Sequence, residues 1–475
     1  MTKNNLFKNT LIYGIATFTS KLINFLLLPI ITFYVAASEF GRFDYYNSFV
    51  AVLVPLISLQ ISDAAFRFLL EENDLKSKKE IVTNSIFGVT LNILLAYIFC
   101  FLTLYIIDGF NKEVFLWIIL VTANIIFVHL QNLSRGFSQN KEFALSGVIN
   151  SISLGLLNIL FLIIFKMEYI GLVTSNIVAL VISIIYLYLK CEINKYLSIK
   201  LFNFNIYKKM LLYSIPLIPN FISWWIINLS DRILINFYLG TEANGVYAVA
   251  YRFTNMLMFA ITVFNKAWQE SAILTFNKKD TNTYYTSIFN KYYVFLFSSV
   301  LILIPFFGML FNFIDKSYAK SLYLIPILLY AVVFSAFSSF FGTAFQSSKN
   351  TREAVSSSIL AGILNIIFNI ILIPYIGLIG ASISTLISFI FMCIYRILQT
   401  QKYFTISYNY LKIVMIFIIS IVLNVIFYNA ENNIFVYLFM LIFGVITFVL
   451  FNKSFLNGVI GNLMRKNKKI YKSRN

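Results

Sequence analysis

The run IVTNSIFGVTLNILLAYIFCFLTLYII, residues 81–107, contains no Asp, Glu, Lys or Arg. Wound as a helix at about 1.5 Å per residue, it is long enough to cross a hydrocarbon layer about 30 Å thick. Backbone N–H and C=O groups find no partners in lipid, so such a run must be helical rather than irregular. Its character repeats along the chain. Of the 475 residues, 60% are hydrophobic and 12% are charged, and the mean hydropathy is +0.82. The charges are confined to short breaks between apolar runs. A soluble domain cannot hide that much apolar surface in its core.

The reading is therefore an all-α integral membrane protein of about fourteen transmembrane helices. The expected spans are 8–35, 43–70, 81–107, 114–134, 143–165, 169–189, 211–238, 244–268, 290–312, 322–345, 354–373, 376–398, 411–428 and 433–451. Several exceed the bare requirement and should tilt or bend. No cleavable signal peptide is expected before the first apolar run. Cys100, Cys191 and Cys393 match neither a disulfide framework nor a metal site, and no metal or other cofactor is expected.

Basic residues supply a test of topology. Lys+Arg number 37 against 19 Asp+Glu, a balance that in a membrane protein first reports orientation and contact with anionic lipid, not nucleic acid. With the N-terminus inside, the outer loops hold only Arg42, Lys112, Lys166, Lys316 and Lys320. Lys21, Arg67, Arg232 and Arg252 fall inside spans, and every other base, Arg396 included, falls in cytoplasmic segments. That asymmetry predicts an even number of spans with both termini cytoplasmic. The external loops are short and no GxxxxGK[ST] loop occurs, so neither an extracytoplasmic catalytic domain nor ATP hydrolysis on this chain is expected.

Self-comparison shows an internal repeat. Ile31-Thr32-Phe33-Tyr34-Val35 lines up with Ile235-Asn236-Phe237-Tyr238-Leu239, and without a gap Gly41 meets Gly245, an offset of 204. Leu157-Asn158-Ile159 meets Leu364-Asn365-Ile366, and Tyr169-Ile170-Gly171-Leu172 meets Tyr375-Ile376-Gly377-Leu378. Two halves of six helices enter from the same side, with a substrate path expected between them. The predicted divisions are a first six-helix bundle over 1–190, a second over 191–400, two added helices over 401–452 and a basic cytoplasmic tail over 453–475. The tail's basic cluster suits the anionic inner leaflet.

The run Gly14 to Gly41, with Ser20-Lys21-Leu22, Pro29 and Ser38-Glu39-Phe40-Gly41, resembles the first helix and loop of polysaccharide-exporting flippases. Leu229-Ser230-Asp231-Arg232-Ile233, followed by Tyr238-Leu239-Gly240 and Gly245-Val246-Tyr247-Ala248-Val249-Ala250, resembles them too, as does Arg135-Gly136-Phe137. These belong to the superfamily of multidrug extruders, oligosaccharidyl-lipid flippases and polysaccharide exporters. The resemblance implies two six-helix bundles around a central cavity, and outward transport of undecaprenyl-diphosphate-linked oligosaccharides for O-antigen, capsule or related polymers. Its implied partners are that lipid-linked substrate, membrane lipids, and the polymerase and assembly proteins of the polysaccharide. Its implied location is a bacterial plasma membrane.

A lipid-linked sugar needs a wet, polar route, because each unpaired hydroxyl would lose roughly 4–8 kcal/mol in hydrocarbon. Charges inside spans are the first candidates. Lys21, Arg67, Arg232 and Arg252 could meet the diphosphate or acidic sugars, with Arg suited to bidentate contact. Asn228, one turn before Arg232, could meet hydroxyls, and Trp224 and Trp225 could stack on sugar rings. Asp63, Asp231 and Glu270 could couple ions or pair internally: Asp63 with Arg67 and Glu270 with Lys266 at i,i+4, Asp231 with Lys21. Asn24, Asn220, Asn255 and Asn365 suit interhelical bonds, and His129 a structural place. A doubly anionic head group leaving a negative interior gains roughly 4–5 kcal/mol per 100 mV. The alternatives are a multidrug cation antiporter of the same superfamily and a lipid II flippase. No catalytic residues are expected.

Overall fold

The computed structural model describes residues 19–107, 111–276, 280–348, 351–430 and 432–472; within these, the side chains of Asn220, Trp224, Asn228, Lys266 and Glu270, among others, lie outside the described set. The described residues are helical almost throughout. In chain order the helices are α1 Thr19–Tyr34, α2 Ala37–Ser58, α3 Ile61–Glu71, α4 Leu75–Ile107, α5 Lys112–Gly136, α6 Asn140–Asn158 with a π-helical continuation Ile159–Ile164, and α7 Glu168–Lys190. After α8 Phe204–Ser214 come α9 Ile218–Thr275, α10 Thr281–Leu310, α11 Ile325–Ser347, α12 Thr351–Thr400, α13 Tyr410–Tyr428 and α14 Ile434–Lys472.

Ten of these are long and apolar enough to cross a membrane, or eleven if α2 and α3 count as one span bent by 56°. The expectation of about fourteen spans differs at identifiable places. Only the end of the first apolar run is described, as α1. The long helices α9 and α12 are each continuous in name but carry non-helical backbone inside, at Gly240 and at Ile376–Gly377. Both lie where the sequence predicts the end of one span and the start of another. Among the described residues, Gly240 (φ 84°) and Gly377 (φ 60°) are the only glycines with positive φ, a conformation that side-chain-bearing residues resist. In the first half of the repeat, Gly240 corresponds to Ala36, an extended linker between α1 and α2, and Gly377 to Gly171 in the first turn of α7, just after the Lys166–Glu168 turn, where Lys166 and Glu168 have φ 52° and 42°.

Helix ends follow their chemistry. Asn111 caps α5 by accepting from the Val114 N–H at 2.8 Å, with Glu113 in the first turn and Arg135 in the last, the polarity a helix dipole favours. Asn409 caps α13 through the Lys412 N–H at 3.2 Å. Buried serines and threonines bond the carbonyl three or four residues back, as Ser175 does to Gly171 at 2.6 Å and Ser388 to Ser384 at 2.7 Å. These hydroxyls are thereby satisfied against apolar neighbours, whereas Ser214 Oγ and the Tyr292 hydroxyl are buried with no hydrogen-bond partner among the described residues.

The chain divides into two compact units, 1–249 and 250–475. In the first, α3, α4 and α5 meet around His129, which is 3% exposed and set between Ser62 Oγ (3.1 Å) and Ser85 Oγ (3.3 Å). The second has an aromatic core: Trp268 lies parallel to Phe340 at 4.2 Å and donates to the Phe340 carbonyl. Here α14 packs along α10 through small residues. A side chain at Gly308 would meet the Tyr437 ring at 2.9 Å, and one at Gly444 would meet the Leu301 carbonyl oxygen at 2.6 Å. Asn452 donates to Ser298 Oγ across the same pair. Of the tail's bases, Lys453 is exposed on α14, Arg465, Lys466, Lys468, Lys469 and Lys472 lie on its last turns with side chains outside the described set, and Arg474 lies outside the described residues.

Candidate functional site

Two polar places interrupt the apolar interior of the first unit. One lies where α2 meets the middle of α9. A Cβ at Gly41 would collide with the Thr241 carbonyl oxygen and stand 2.5 Å from the Gly245 nitrogen. A Cβ at Gly245 would collide with the Ala37 carbonyl oxygen and stand 3.0 Å from the Gly41 nitrogen. The contact is reciprocal: 37 and 41 correspond to 241 and 245 at the repeat offset of 204. Two repeat-equivalent helices thus touch backbone to backbone at equivalent glycines, as around a local two-fold axis. The Asn244 amide donates to the Gly41 carbonyl at 2.8 Å and fastens the crossing.

Beside it sits a charged cluster. Arg232 (6% exposed) donates through Nε to Asp44 Oδ2 at 3.1 Å and lies over the Tyr247 ring at 5.9 Å. Asp231 (1% exposed) accepts from the Tyr247 hydroxyl at 2.8 Å. Adjacent residues on a helix face different ways: Arg232 reaches Asp44 and the face of the Tyr247 ring, while Asp231 takes the hydroxyl of the same tyrosine. Arg232, expected to be left for substrate, is held by Asp44 in this conformation. Asp44 escaped the sequence reading, which searched the spans for bases and looked for acids only near them; an acid one turn after Gly41 was the available signal.

The second place is the break between α2 and α3. Leu59 and Gln60 adopt left-handed backbone (φ 48° and 52°) without being glycine. Pro55, one turn earlier, has no N–H to give the Ala51 carbonyl. A cavity of about 430 Å³ opens at the break, lined among others by Asn47, Gln60, Asp63, Asn124, Phe221 and Trp225. Asp63 makes no hydrogen bond or ion pair among the described residues; the base whose field reaches it is Arg135.

The remaining sequence candidates are dispersed. Arg67 pairs with Glu71 at 2.5 Å (i,i+4) rather than with Asp63. Both acids are one turn away on the same face, but the Arg67–Glu71 pair lies at the exposed end of α3, where neither ion gives up much hydration. Lys21 is exposed on α1 and has no ion pair among the described residues. Arg252 is half-buried in the second unit, and its charge acts on the Tyr318 hydroxyl. Asn228 and Glu270 lie in α9 with side chains outside the described set. Trp225 lines the cavity, while the side chain of Trp224 is not described. Asn365 bonds Thr385 and Asn369 within the second unit.

Two bases assigned to segments outside the spans are packed against the protein rather than left in solvent. Arg42 lies on α2, pairs with Glu113 and covers the Tyr169 ring at 4.9 Å. Arg396, assigned to a cytoplasmic segment, is 3% exposed. Its guanidinium donates to Ser357 Oγ, the Ser338 and Ala354 carbonyls and Ser358 Oγ at 2.8–3.2 Å. Gly342 leaves room for it: a Cβ there would meet an Arg396 nitrogen at 2.6 Å. A charge count cannot distinguish a base in solvent from one pinned by four hydrogen bonds near a helix end. Outside the spans, burial pushes the Cys191 thiol up to about 12, and Glu142 adds to it.

Residues 6–268 match the family described as polysaccharide biosynthesis protein. The chain is 25% identical over 390 residues to the capsular polysaccharide biosynthesis protein CapF of Staphylococcus aureus, covering 79% of this chain and 94% of that one. It is 22% identical over 460 residues to an uncharacterized membrane protein of Methanocaldococcus jannaschii, covering 88% and 90%. Among solved structures, a lipid II flippase MurJ in an inward closed conformation superposes with a TM-score of 0.72 at 19% identity, over 95% of this chain and 100% of that one. An inward-facing multidrug resistance transporter of the MATE family gives 0.66 at 14% identity, over 81% and 95%. At these identities, the two structures establish a shared fold.

Proposed function

The chain belongs to the polysaccharide biosynthesis protein family, and on that premise we propose that it flips undecaprenyl-diphosphate-linked oligosaccharide units from the cytoplasmic to the outer face of a bacterial plasma membrane, for assembly into a surface polysaccharide. Both termini are cytoplasmic in this reading. The polymerase and assembly proteins that receive the units are its partners.

The observation that carries the reading is the Arg232–Asp44 pair beside the Gly41–Gly245 crossing. A buried ion pair is a poor stabiliser, since desolvation offsets its attraction. Its use lies in being separable. When α2 and α9 part, Asp44 releases a guanidinium whose fork matches a diphosphate bidentately. Close again, and the pair re-forms with the backbone contact. Such a joint presents positive charge in one conformation and withdraws it in the other, as a carrier of an anionic head group requires.

One observation favours the multidrug antiporter instead: Asp63 is a carboxylate in a cavity with no ion pair among the described residues, a place an organic cation could take. The two readings separate in a strain deleted for this gene, by mass spectrometry of lipid-diphosphate-linked oligosaccharide. Complete units should accumulate and be cleared by the wild-type gene, but not by Arg232→Ala or Lys21→Ala. Clearance by both variants would keep the flippase and discard those two residues. Normal lipid-linked pools with raised sensitivity to cationic dyes would support the antiporter.

A further inference from the structure

The break between α2 and α3 belongs to one half of the repeat only. At the repeat offset of 204, Leu59 and Gln60 correspond to Val263 and Phe264, inside unbroken helix in α9. The general architecture therefore does not require it. Two consecutive non-glycine residues in left-handed backbone are strained, and strain of this kind gathers at ligand sites. What the break creates is the cavity of about 430 Å³, within the range of roughly 300–1,000 Å³ usual for small-molecule sites.

Its lining has two characters. Asn47, Gln60 and Asp63 contribute side chains with no hydrogen bond among the described residues, and Asn124 gives its amide to the Leu120 carbonyl while its own carbonyl oxygen accepts nothing there. Opposite in nature are Phe221 and Trp225, whose rings lie 6.0 Å apart at 35°. Carboxylate and carboxamide groups accept and donate in the pattern that a polyol presents, and an aromatic face suits the apolar C–H side of a sugar ring. A diphosphate fits poorly, because no base lines the cavity among the described residues. A quaternary cation such as tetraphenylphosphonium could approach Asp63, but having no N–H or O–H it would leave the three carboxamides unmatched, at about 1–3 kcal/mol each. A uronic acid would set its carboxylate against Asp63.

We propose that this cavity is the sugar subsite of the transported lipid, and that it takes an uncharged pyranose ring and rejects a uronic acid at that place. The proposal rests on the flippase reading and adds to it the chemical class of the sugar. The cation of Arg232 and the sugar cavity then divide the head group between them, charge to the one and hydroxyls to the other.

The test uses the full-length protein in nanodiscs and four probes: farnesyl diphosphate, its N-acetylglucosamine and glucuronic acid conjugates, and tetraphenylphosphonium. Dissociation constants are measured by titration calorimetry. The N-acetylglucosamine conjugate should bind at least tenfold tighter than bare farnesyl diphosphate, and the glucuronic acid conjugate no tighter. Trp225→Ala should remove that gain while leaving the bare diphosphate unchanged. Asp63→Asn should keep the gain to within a few fold and raise the glucuronic acid conjugate toward it. Melting curves of each variant establish that it is folded; the conservative Asp63→Asn serves if Trp225→Ala is not. If no lipid diphosphate binds, the flippase reading falls and the subsite with it. If all three bind alike, or the gain survives a folded Trp225→Ala, or Asp63→Asn leaves the glucuronic acid conjugate no tighter than bare farnesyl diphosphate, the sugar subsite alone is overturned. Saturable binding of tetraphenylphosphonium that Asp63→Asn abolishes also overturns it.

Discussion

Gly41→Ala adds one methyl group where two helices touch through their backbones. The new Cβ would collide with the Thr241 carbonyl oxygen and lie 2.5 Å from the Gly245 nitrogen and 2.9 Å from the Thr241 carbonyl carbon. Ordinary contacts begin near 3.4 Å, so α2 and α9 must separate by about 1 Å or more. Overpacking costs about 1–3 kcal/mol when side chains can yield. Here the obstacles are backbone atoms, which cannot rotate away, so the upper end applies. Separation also strains the Asn244–Gly41 hydrogen bond, about 1 kcal/mol. Together these give about 3–4 kcal/mol against the closed joint, on the order of 10² to 10³ in its equilibrium. Gly147→Ala is the matched control, because its Cβ would meet nothing nearer than Ser20 Oγ at 3.9 Å. Thermal unfolding in nanodiscs and clearance of lipid-linked oligosaccharide in the deletion strain measure the effect. Gly41→Ala should melt well below wild type and fail to clear; Gly147→Ala should match wild type in both. Gly245→Ala should behave as Gly41→Ala, and the double variant should lose less than the sum, since both part the same helices. Equal melting and equal clearance for Gly41→Ala and Gly147→Ala would refute the reasoning.

Further outcomes follow from single contacts. Arg232→Ala leaves Asp44 in the interior without the Arg232 Nε–H it now accepts, and should lower stability by roughly 3–5 kcal/mol; Asp44→Asn in the same chain should recover part of that in melting, but not transport. Arg396→Lys replaces a fork serving four acceptors by a point charge and should lower the melting temperature clearly despite conserving charge. His129→Ala should lose roughly 1–3 kcal/mol by leaving the Ser62 hydroxyl without its ring partner, while Ser85 keeps its bond to the Val82 carbonyl and the pH profile of clearance between about pH 6 and 8 stays that of wild type; a shifted profile would make His129 a proton carrier. The Cys191 thiol, raised to about 12 by burial, is protonated throughout the working range, so maleimide should label it slowly at pH 7 to 9 and rapidly only after unfolding.

Apolar run length, loop brevity and the repeat at offsets near 204 were legible in the amino-acid order, because in lipid the backbone has one way to satisfy itself and a run of suitable length must take it. The repeat even marked Gly41 and Gly245 as equivalents. That they touch each other was not legible: close approach depends on where two helices cross, and the chain records only that both positions lack a side chain. Partner choice was decided in three dimensions for the same reason. Spacing offered Arg67 either of two acids, and geometry selected Glu71 at the exposed end. Composition counted Arg396 among cytoplasmic bases, and packing buried it among carbonyls and hydroxyls. The left-handed pair Leu59–Gln60 had no sequence signal beyond Pro55, because the strain is held by the surrounding helices rather than by the residues themselves. Run length and charge placement alone identify a multi-span helical membrane protein with a repeated sequence; which of its few charges meet each other and which line a cavity is set by packing, since those energies depend on distances that no linear spacing fixes.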